Sequence, residues 1–177
     1  MKFLHVLIIC GLILTGGSFA INDVYAAGFI KFDGIDGESI DKDHKGWSDL
    51  LSFSESATSK DDSSTARTKG ETTLQDMVVV KALDKSSPKL AESILMGKVY
   101  PKVEIHFASS DRVTYYAYEL TNVMVTSYSV SGDVDEVPME EFSLNFEEIK
   151  VTYTERDSEG KKKGNIEYSW KVEEGTA

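Results

Sequence analysis

The fold of this chain turns on residues Phe29–Glu55, which read FIKFDGIDGESIDKDHKGWSDLLSFSE. An apolar segment opens this stretch at 29–32, and a second one at 50–53 follows a run of glycines, carboxylates and lysines. Short apolar or alternating segments bounded by glycine and aspartate are typical of β-strands. The stretch therefore predicts two strands, over 29–33 and 49–55, joined by a polar loop.

The loop between these strands concentrates groups that could carry chemistry: Asp33, Asp36, Glu38, Asp41, Asp43 and His44. A calcium loop of the EF-hand type needs a glycine at its sixth position. Counting back from Gly34 or Gly37 places a phenylalanine first, so that template fails. A zinc site needs more nitrogen or sulfur ligands than one histidine supplies. We therefore predict a solvated connection, without a metal or any other cofactor.

Residues 1–26 have the layout of a secretory signal peptide. A short positive start precedes the apolar run Phe3–Leu14, and Val24-Tyr25-Ala26 fits the small-residue cleavage pattern, with Ser18-Phe19-Ala20 as a second option. The run is too short to span a bilayer comfortably, although an uncleaved anchor is the alternative. We expect export, which leaves residues 27–177 as one secreted or periplasmic domain.

Composition narrows what the exported domain can do. The single cysteine, Cys10, lies in the predicted signal, so the mature chain has no disulfide or thiol chemistry. The net charge is −11, and removing Lys2 and Asp23 leaves it unchanged. Nucleic acid and anionic membrane surfaces both require a basic face, so neither is expected as a partner.

One helix and a series of strands follow. Ser87 is predicted to cap a helix that has Pro88 in its first turn and ends at Gly97. The apolar side chains expected to face a sheet are Leu90, Ile94 and Leu95. The β-branched run Met77–Val80 predicts a strand buried on both faces, and Ser56–Gly70, almost without apolar residues, predicts a mobile loop.

From residue 99 onward the apolar spacing is that of strands. Val103, Ile105 and Phe107 alternate with polar neighbours, which predicts one buried face. A long strand over 142–153 is predicted to shift phase near Glu147-Glu148, as a bulge allows. The remaining strands are predicted over 113–118, 120–130 and 166–172, with a hairpin connection at 157–164. The sum is a mainly β fold, an antiparallel barrel or sandwich with one short helix.

Catalytic constellations are weak in this sequence. A Ser/His/Asp triad stays open, but no Gly-x-Ser-x-Gly elbow supports it. His106 is expected at the surface, and the doublets Glu140-Glu141 and Glu147-Glu148 are expected to be solvated charge that guards strand edges. The tyrosines and Trp170 sit at strand spacing, which favours packing in the core and at interfaces over a sugar-binding face. We predict that the protein is not an enzyme.

A set of segments spread over essentially the whole mature chain, in order, resembles the haemolysin-coregulated protein (Hcp) family, the tube subunits of bacterial type VI secretion. Each segment is weak alone, but the set is specific. The segments are Phe29-Ile30-Lys31-Phe32, Gly37-Glu38-Ser39, Asp41-Lys42-Asp43-His44, Asp49-Leu50-Leu51-Ser52-Phe53-Ser54, Asp84-Lys85-Ser86-Ser87-Pro88-Lys89-Leu90, Gly97, Tyr100-Pro101, Leu120-Thr121-Asn122-Val123, Glu141-Phe142-Ser143-Leu144-Asn145-Phe146 and Tyr168-Ser169-Trp170.

The resemblance implies a compact β-barrel with a single helix that assembles into six-membered rings. These rings stack into a tube that carries or exports small effector proteins, so the implied partners are the chain itself, effectors and other components of the secretion apparatus. Ser54 would lie on the strand that faces the lumen. Residues 56–70 correspond to the family's extended loop, which reaches the next ring. Its predicted stacking residues are Ser59, Lys60, Asp61, Asp62 and Arg67.

The predicted signal peptide is a departure from the family, whose tube subunits assemble in the cytoplasm. No methionine lies between Met1 and Met77, so a later methionine start upstream of the first strand is not available. Two readings therefore stay open. The chain is a tube subunit, or it is an exported Hcp-like barrel that binds a ligand or partner outside the secretion machine. A hydrolase is a distant third.

Overall fold

A computed structural model describes residues 27–59 and 72–172. Within them lie ten strands and one helix, and every strand pairing is antiparallel. The elements in chain order are β1 (Ala27–Phe32), β2 (Ser48–Ser54), β3 (Ala57–Ser59), β4 (Thr72–Leu74), β5 (Met77–Ala82), α1 (Ser87–Met96), β6 (Val99–Ala108), β7 (Thr114–Ser131), β8 (Met139–Asn145), β9 (Glu148–Arg156) and β10 (Lys162–Lys171).

Six strands close into a barrel in the order β7-β6-β1-β2-β5-β8, and β8 pairs back to β7. The hairpin of β9 and β10 extends the sheet from β7. Strand β7 can both close the barrel and carry this hairpin because it is 18 residues long. One of its edges pairs with β6, whereas the other pairs with β9 over Tyr116–Thr121 and with β8 over Met124–Ser131. The predicted mainly β barrel with one short helix is confirmed.

A change of phase separates β8 from β9. Phe142, Leu144 and Phe146 are buried at even positions, whereas Ile149 and Val151 are buried at odd ones. The chain resets at Glu147, whose backbone N–H donates to the carbonyl of Thr121 at 3.1 Å. The shift was predicted at this place, but it divides the segment into two strands where one bulged strand was expected.

The barrel interior is filled by inward-facing aliphatic and aromatic side chains. The fully buried large apolar ones are Ile30, Met77, Leu90, Tyr100, Ile105, Leu120, Phe142, Leu144 and Ile149. Phe32 meets the edges of two of these rings, with centroid distances of 5.2 Å to Tyr100 and 5.9 Å to Phe142. Offset and edge-on ring contacts of this kind add to the stabilisation that burial provides.

Helix α1 begins at Ser87, carries Pro88 in its first turn and ends at Gly97, which has the left-handed φ of 60°. Leu90 is buried as expected, but Leu95 is 87% exposed, so its predicted core position is wrong. Ser93 is buried instead, and its hydroxyl forms a hydrogen bond with the Tyr100 hydroxyl. Among the described residues no helix has the length and apolar character needed to cross a bilayer.

Three further expectations need correction. Ser87 does not cap the helix with its side chain, and the N-cap position belongs to Ser86. Strand β5 alternates between buried and half-buried residues, so it is not buried on both faces. Part of the predicted loop over 56–70 is strand β3, which pairs with β4 in a separate two-stranded sheet. The rest of that loop and the predicted signal peptide lie outside the described residues.

Replacing Leu90 by alanine should lower the free energy of unfolding by about 2–5 kcal/mol, because it opens a cavity where the side chain is 0% exposed. The matched change Leu95→Ala, one turn along on the exposed face, should cost less than about 0.5 kcal/mol. Urea unfolding followed by circular dichroism measures both. Equal losses for the two variants would contradict the orientation of α1.

Candidate functional site

The 33–47 loop lies against the outer face of β1. The imidazole of His44 stacks on the ring of Phe29, with centroids 4.0 Å apart and planes 4° from parallel. Lys31 holds the other side of the loop through Asp36 at 2.6 Å and the Gly46 carbonyl at 3.0 Å. Gly37 is required here, since a Cβ at that position would lie 2.3 Å from the Trp47 carbonyl. The loop is therefore a packed layer over the barrel wall.

Asp41 organises this layer. Its Oδ1 accepts hydrogen bonds from His44 Nδ1 at 2.9 Å and from the backbone N–H groups of Asp43 and His44 at 3.0 and 3.1 Å. Its Oδ2 accepts one from Arg112 Nη1 at 2.7 Å. The Arg112 guanidinium, helped by His44 and against the effect of burial, holds the pKa of Asp41 well below its usual range. The carboxylate thus ties the loop to the turn between β6 and β7.

A second histidine completes the cluster. His44 Nε2 lies 3.0 Å from His106 Nδ1 on β6 and 3.4 Å from Thr114 Oγ1 on β7. Trp47 covers both imidazoles, with its ring centroid 5.0 Å from that of His44 and 4.4 Å from that of His106. The prediction that the loop is solvated is wrong for Asp41 and His44, which are both buried, and His106 is a partner of His44 instead of a free surface residue.

The Asp41–His44 pair has the geometry of the acid–base half of a catalytic triad. However, His44 is only 2% exposed, and its outer nitrogen faces a second imidazole, with the Thr114 hydroxyl farther away. A general base has to reach the proton of a nucleophile that substrate can approach. This arrangement suits a clamp between loop and barrel better than nucleophilic catalysis.

A second buried polar cluster joins β5, β8 and the start of α1. Lys81 and Glu140 are both 0% exposed, and Lys81 Nζ lies 2.5 Å from Glu140 Oε1 and 2.7 Å from Asp84 Oδ1. Tyr128 donates to Glu140 Oε2 at 2.6 Å, and Ser87 donates to Oε1 at 3.0 Å. Because every charge in this cluster has an opposite charge and hydrogen-bond donors or acceptors, burial is tolerated.

The electrostatics of this cluster follow from its contacts. Burial raises the pKa of Asp84, but hydrogen bonds from Lys81, Ser48 and Ser86 outweigh it and bring the pKa to about 2. Burial, then the hydrogen bond to Glu140, raises the pKa of Tyr128. The expectation that Glu140 is solvated edge charge is wrong.

The alternation of inward- and outward-facing residues along β5 and β8 indicates that both buried charges, Lys81 and Glu140, point inward. Lys81 falls in step with Met77 and Val79, and Glu140 falls in step with Phe142 and Leu144, so strict alternation points each of them inward. The two residues stand at neighbouring positions across β5 and β8, where Lys81 pairs with Glu140. Opposite charges at facing strand positions attract, which is the cue the linear pattern offered.

The predicted site residues lie apart from these clusters. Ser54 is exposed at the end of β2, opposite Val78 of β5. Ser59 is exposed at the end of β3. Lys60, Asp61, Asp62 and Arg67 lie outside the described residues. Within 27–59 and 72–172, no three or more His, Cys, Asp or Glu side chains are grouped so as to hold a metal ion.

An overhanging apolar face is the feature that the sequence did not reveal as such. On the inner face of the β7–β9–β10 sheet, Leu120 and Ile149 are buried where the sheet meets the barrel core. Further along the same face the sheet runs beyond the core, and exposure rises to 41% at Tyr153, 51% at Tyr168 and 67% at Ile166. This face therefore leaves three neighbouring apolar side chains exposed beyond the buried part of the sheet.

The described residues thus form a closed antiparallel barrel with internally satisfied polar clusters and an overhanging apolar face. Comparison with known proteins gives the family. The family model described as "Type VI secretion system effector, Hcp" matches residues 29–153. The chain therefore belongs to the Hcp family of type VI secretion proteins, which is a structural family and not a known enzyme family.

Individual relatives agree with this assignment. Protein hcp1 of Pseudomonas aeruginosa is 30% identical over 151 residues, and the match covers 81% of this chain and 93% of the relative. A solved structure of a type six secretion system protein superposes with a TM-score of 0.79 at 29% identity, covering 85% of this chain and 98% of the other. Hcp1 from Salmonella typhimurium superposes with a TM-score of 0.71 at 25% identity, covering 85% and 97%.

Lys81→Met should lower the free energy of unfolding by about 3–5 kcal/mol, because it leaves Glu140 and Asp84 without their shared cation. Lys89→Met, on the exposed side of α1, is the control and should change stability by less than about 0.5 kcal/mol. Chemical denaturation measures both. A Lys81→Met protein as stable as the parent would show that the cluster is not held as described.

Ser48→Ala should raise the pKa of Asp84 from about 2 toward its ordinary value of 3.8, because the hydroxyl 2.6 Å from Oδ2 is lost. Since the folded-state pKa is depressed, Asp84 stabilises the fold above about pH 4, and this contribution is lost as the pH falls toward 2. Carboxyl NMR titration gives the pKa directly. Ser52→Ala, at an exposed position of the same strand, should leave it unchanged.

Proposed function

We propose that this chain is a structural subunit of the type VI secretion tube, which forms hexameric rings that stack and carry or export effectors. The family match, which spans β1 to β9, carries this proposal. The coverage of 93–98% of each compared relative leaves little room in them for an additional domain. The buried charges of the barrel are satisfied internally, so its outer surfaces are available for self-association.

The overhanging face of β9 and β10 supports a ring. A second group of exposed apolar side chains lies elsewhere, at Leu95 and Met96 of α1 and at the register partners Val99 and Met124. Two different apolar surfaces on one subunit suit a head-to-tail contact, because each copy can present one surface to each neighbour. Such heterologous contacts close into a ring when the rotation between copies divides the circle.

Ile166→Asp should convert hexamers of the 27–177 chain into monomers, because it places a charge at the most exposed apolar position of the overhanging face. Asn165→Asp adds the same charge to the opposite face of β10 and should keep the hexamer. Native mass spectrometry with light scattering measures both. Six-membered rings of Ile166→Asp would reject this face as the contact, and a monomeric parent would favour the exported partner-binding barrel.

The segment between β3 and β4 is assigned to ring stacking. The two strands that flank it pair with each other in a two-stranded sheet that is separate from the barrel sheet. Deleting residues 59–67 should leave a folded subunit and intact rings but shorten the tubes seen by electron microscopy. An unchanged distribution of tube lengths would remove Ser59, Lys60, Asp61, Asp62 and Arg67 from the stacking contact.

Ser54 is assigned to the lumen. Its exposure on β2 is compatible with a position on an inner wall. The chain from residue 27 onward has no cysteine, so Ser54→Cys introduces a single reactive site. In assembled tubes this thiol should react with a small maleimide but poorly with a polymer-linked one, whereas Lys89→Cys is the control at a helix surface. Equal reaction of both thiols with the polymer would place Ser54 outside the lumen.

Residues 1–26 are assigned to a signal peptide that is removed after Ala26. Cleavage there would leave Ala27, the partner of Ala108 in β1–β6 pairing, as the first residue. Export by this route is the feature that favours the second function, a partner-binding barrel outside the secretion machine. The intact mass of the exported protein decides the matter, since a chain that retains Met1 contradicts cleavage.

A further inference from the structure

One carboxylate and two imidazoles form a hydrogen-bonded chain, Asp41–His44–His106, at the place where the 33–47 loop meets the barrel. His44 Nδ1 faces Asp41, and His44 Nε2 faces His106 Nδ1 at 3.0 Å. His44 belongs to the loop, whereas His106 belongs to β6 in the barrel wall. The bond between the two rings therefore crosses the boundary between loop and barrel.

The number of protons on the two imidazoles determines whether the bond between His44 Nε2 and His106 Nδ1 can form. When both rings are neutral, Nδ1–H of His44 donates to Asp41 and its Nε2 accepts from Nδ1–H of His106. One added proton is accommodated, because a charged His44 donates from Nε2 to a neutral His106. A second proton puts N–H groups on both facing nitrogens and two cations in contact, so the bond is lost.

The charges around the pair do not remove this conflict. The Asp41 carboxylate lies next to His44 but is already neutralised by Arg112 at 2.7 Å. On β6, Glu104 favours a charged His106 whereas Lys102 opposes it, and these two side chains pair with each other at 3.0 Å. On β7 the facing group is the neutral Thr114, and β1 contributes the apolar ring of Phe29. Burial, followed by the charge of His44, lowers the pKa of His106 to about 4.

We propose that His44 and His106 form a pH-sensitive latch, which holds the 33–47 loop against the barrel near neutral pH and releases it when both imidazoles are protonated. The free loop would expose the outer face of β1, where Phe29 is now 3% exposed. Release follows from the sign of the shift: the open state takes up the second proton near the ordinary histidine pKa of about 6.5, and the latched state resists it. The latch does not depend on ring assembly.

The chain is well suited to a direct test, since its third histidine, His5, precedes residue 27 and the mature domain has only this pair. Hydrogen exchange of the loop amides, corrected for the intrinsic effect of pH, is measured at about pH 7.5 and about pH 5. The reporters include Gly37 N–H and Ser39 N–H, which donate to the carbonyls of Gly46 and Trp47. We expect loop protection to fall about tenfold or more at the lower pH relative to β1 and β6 amides.

Two variants distinguish a pH-dependent latch from contacts that only stabilise the loop at every pH. His106→Gln keeps a hydrogen-bonding side chain without a titratable group and should retain loop protection at about pH 5. Lys31→Gln removes the contacts with Asp36 and the Gly46 carbonyl on the other side of the loop, away from the imidazoles, so it should raise exchange by the same factor at both pH values. An equal drop of protection on acidification in His106→Gln and in the parent would overturn the proposal.

Histidine NMR titration of the parent domain keeps the proposal testable even where His106→Gln loosens the loop at neutral pH. The latch requires loop opening and uptake of the second proton to share one midpoint. A loop that stays protected at about pH 5, or that opens at a pH where neither imidazole titrates, would overturn it.

Discussion

The divided edge of β7 is the constraint on which the rest of this structure depends. A strand has only two edges, and β7 must close the barrel through β8 and also carry the β9–β10 hairpin. It does both on one edge because β8 and β9 follow one another along it, with the chain reset at Phe146 and Glu147 between them. The same division sends the hairpin beyond the core, so the overhanging apolar face is a direct product of barrel closure.

Buried charge serves two different purposes in this fold. The Lys81–Glu140 pair and its partners Asp84 and Tyr128 join three elements around one saturated network, and removing any member leaves another uncompensated. In the Asp41–His44–His106 cluster the carboxylate bonds His44, whereas His106 faces the other nitrogen of the same imidazole. The first network is therefore suited to fixing the fold, and the second is the place where a proton changes the balance.

The sequence predicted the architecture well and the environments of individual side chains less well. Apolar spacing located most strands, the helix and the phase shift near Glu147, since these features depend on short-range periodicity. It misplaced Leu95, whose burial depends on how α1 lies on β7, and it treated Asp41, His44 and Glu140 as solvated. Charged residue types usually are solvated. Strand phase points Glu140 inward, but it does not reveal distant partners such as Ser87, 53 positions from Glu140, or His106, 62 positions from His44. Ring formation came from resemblance alone, because periodicity describes one chain and not its contacts with another.

Barrel closure has a further consequence for the order in which this chain can acquire structure. The strand that closes the barrel, β8, pairs with β5 and β7 and spans Met139–Asn145, so it is among the last segments to leave the ribosome. Until then Met77 and Val79 on β5 lack the strand that covers their open side, and Lys81 lacks Glu140. A nascent chain with such long-range pairings gains little from folding early. The topology thus places completion of the barrel core, and of the Lys81–Glu140 pair within it, after synthesis of β8.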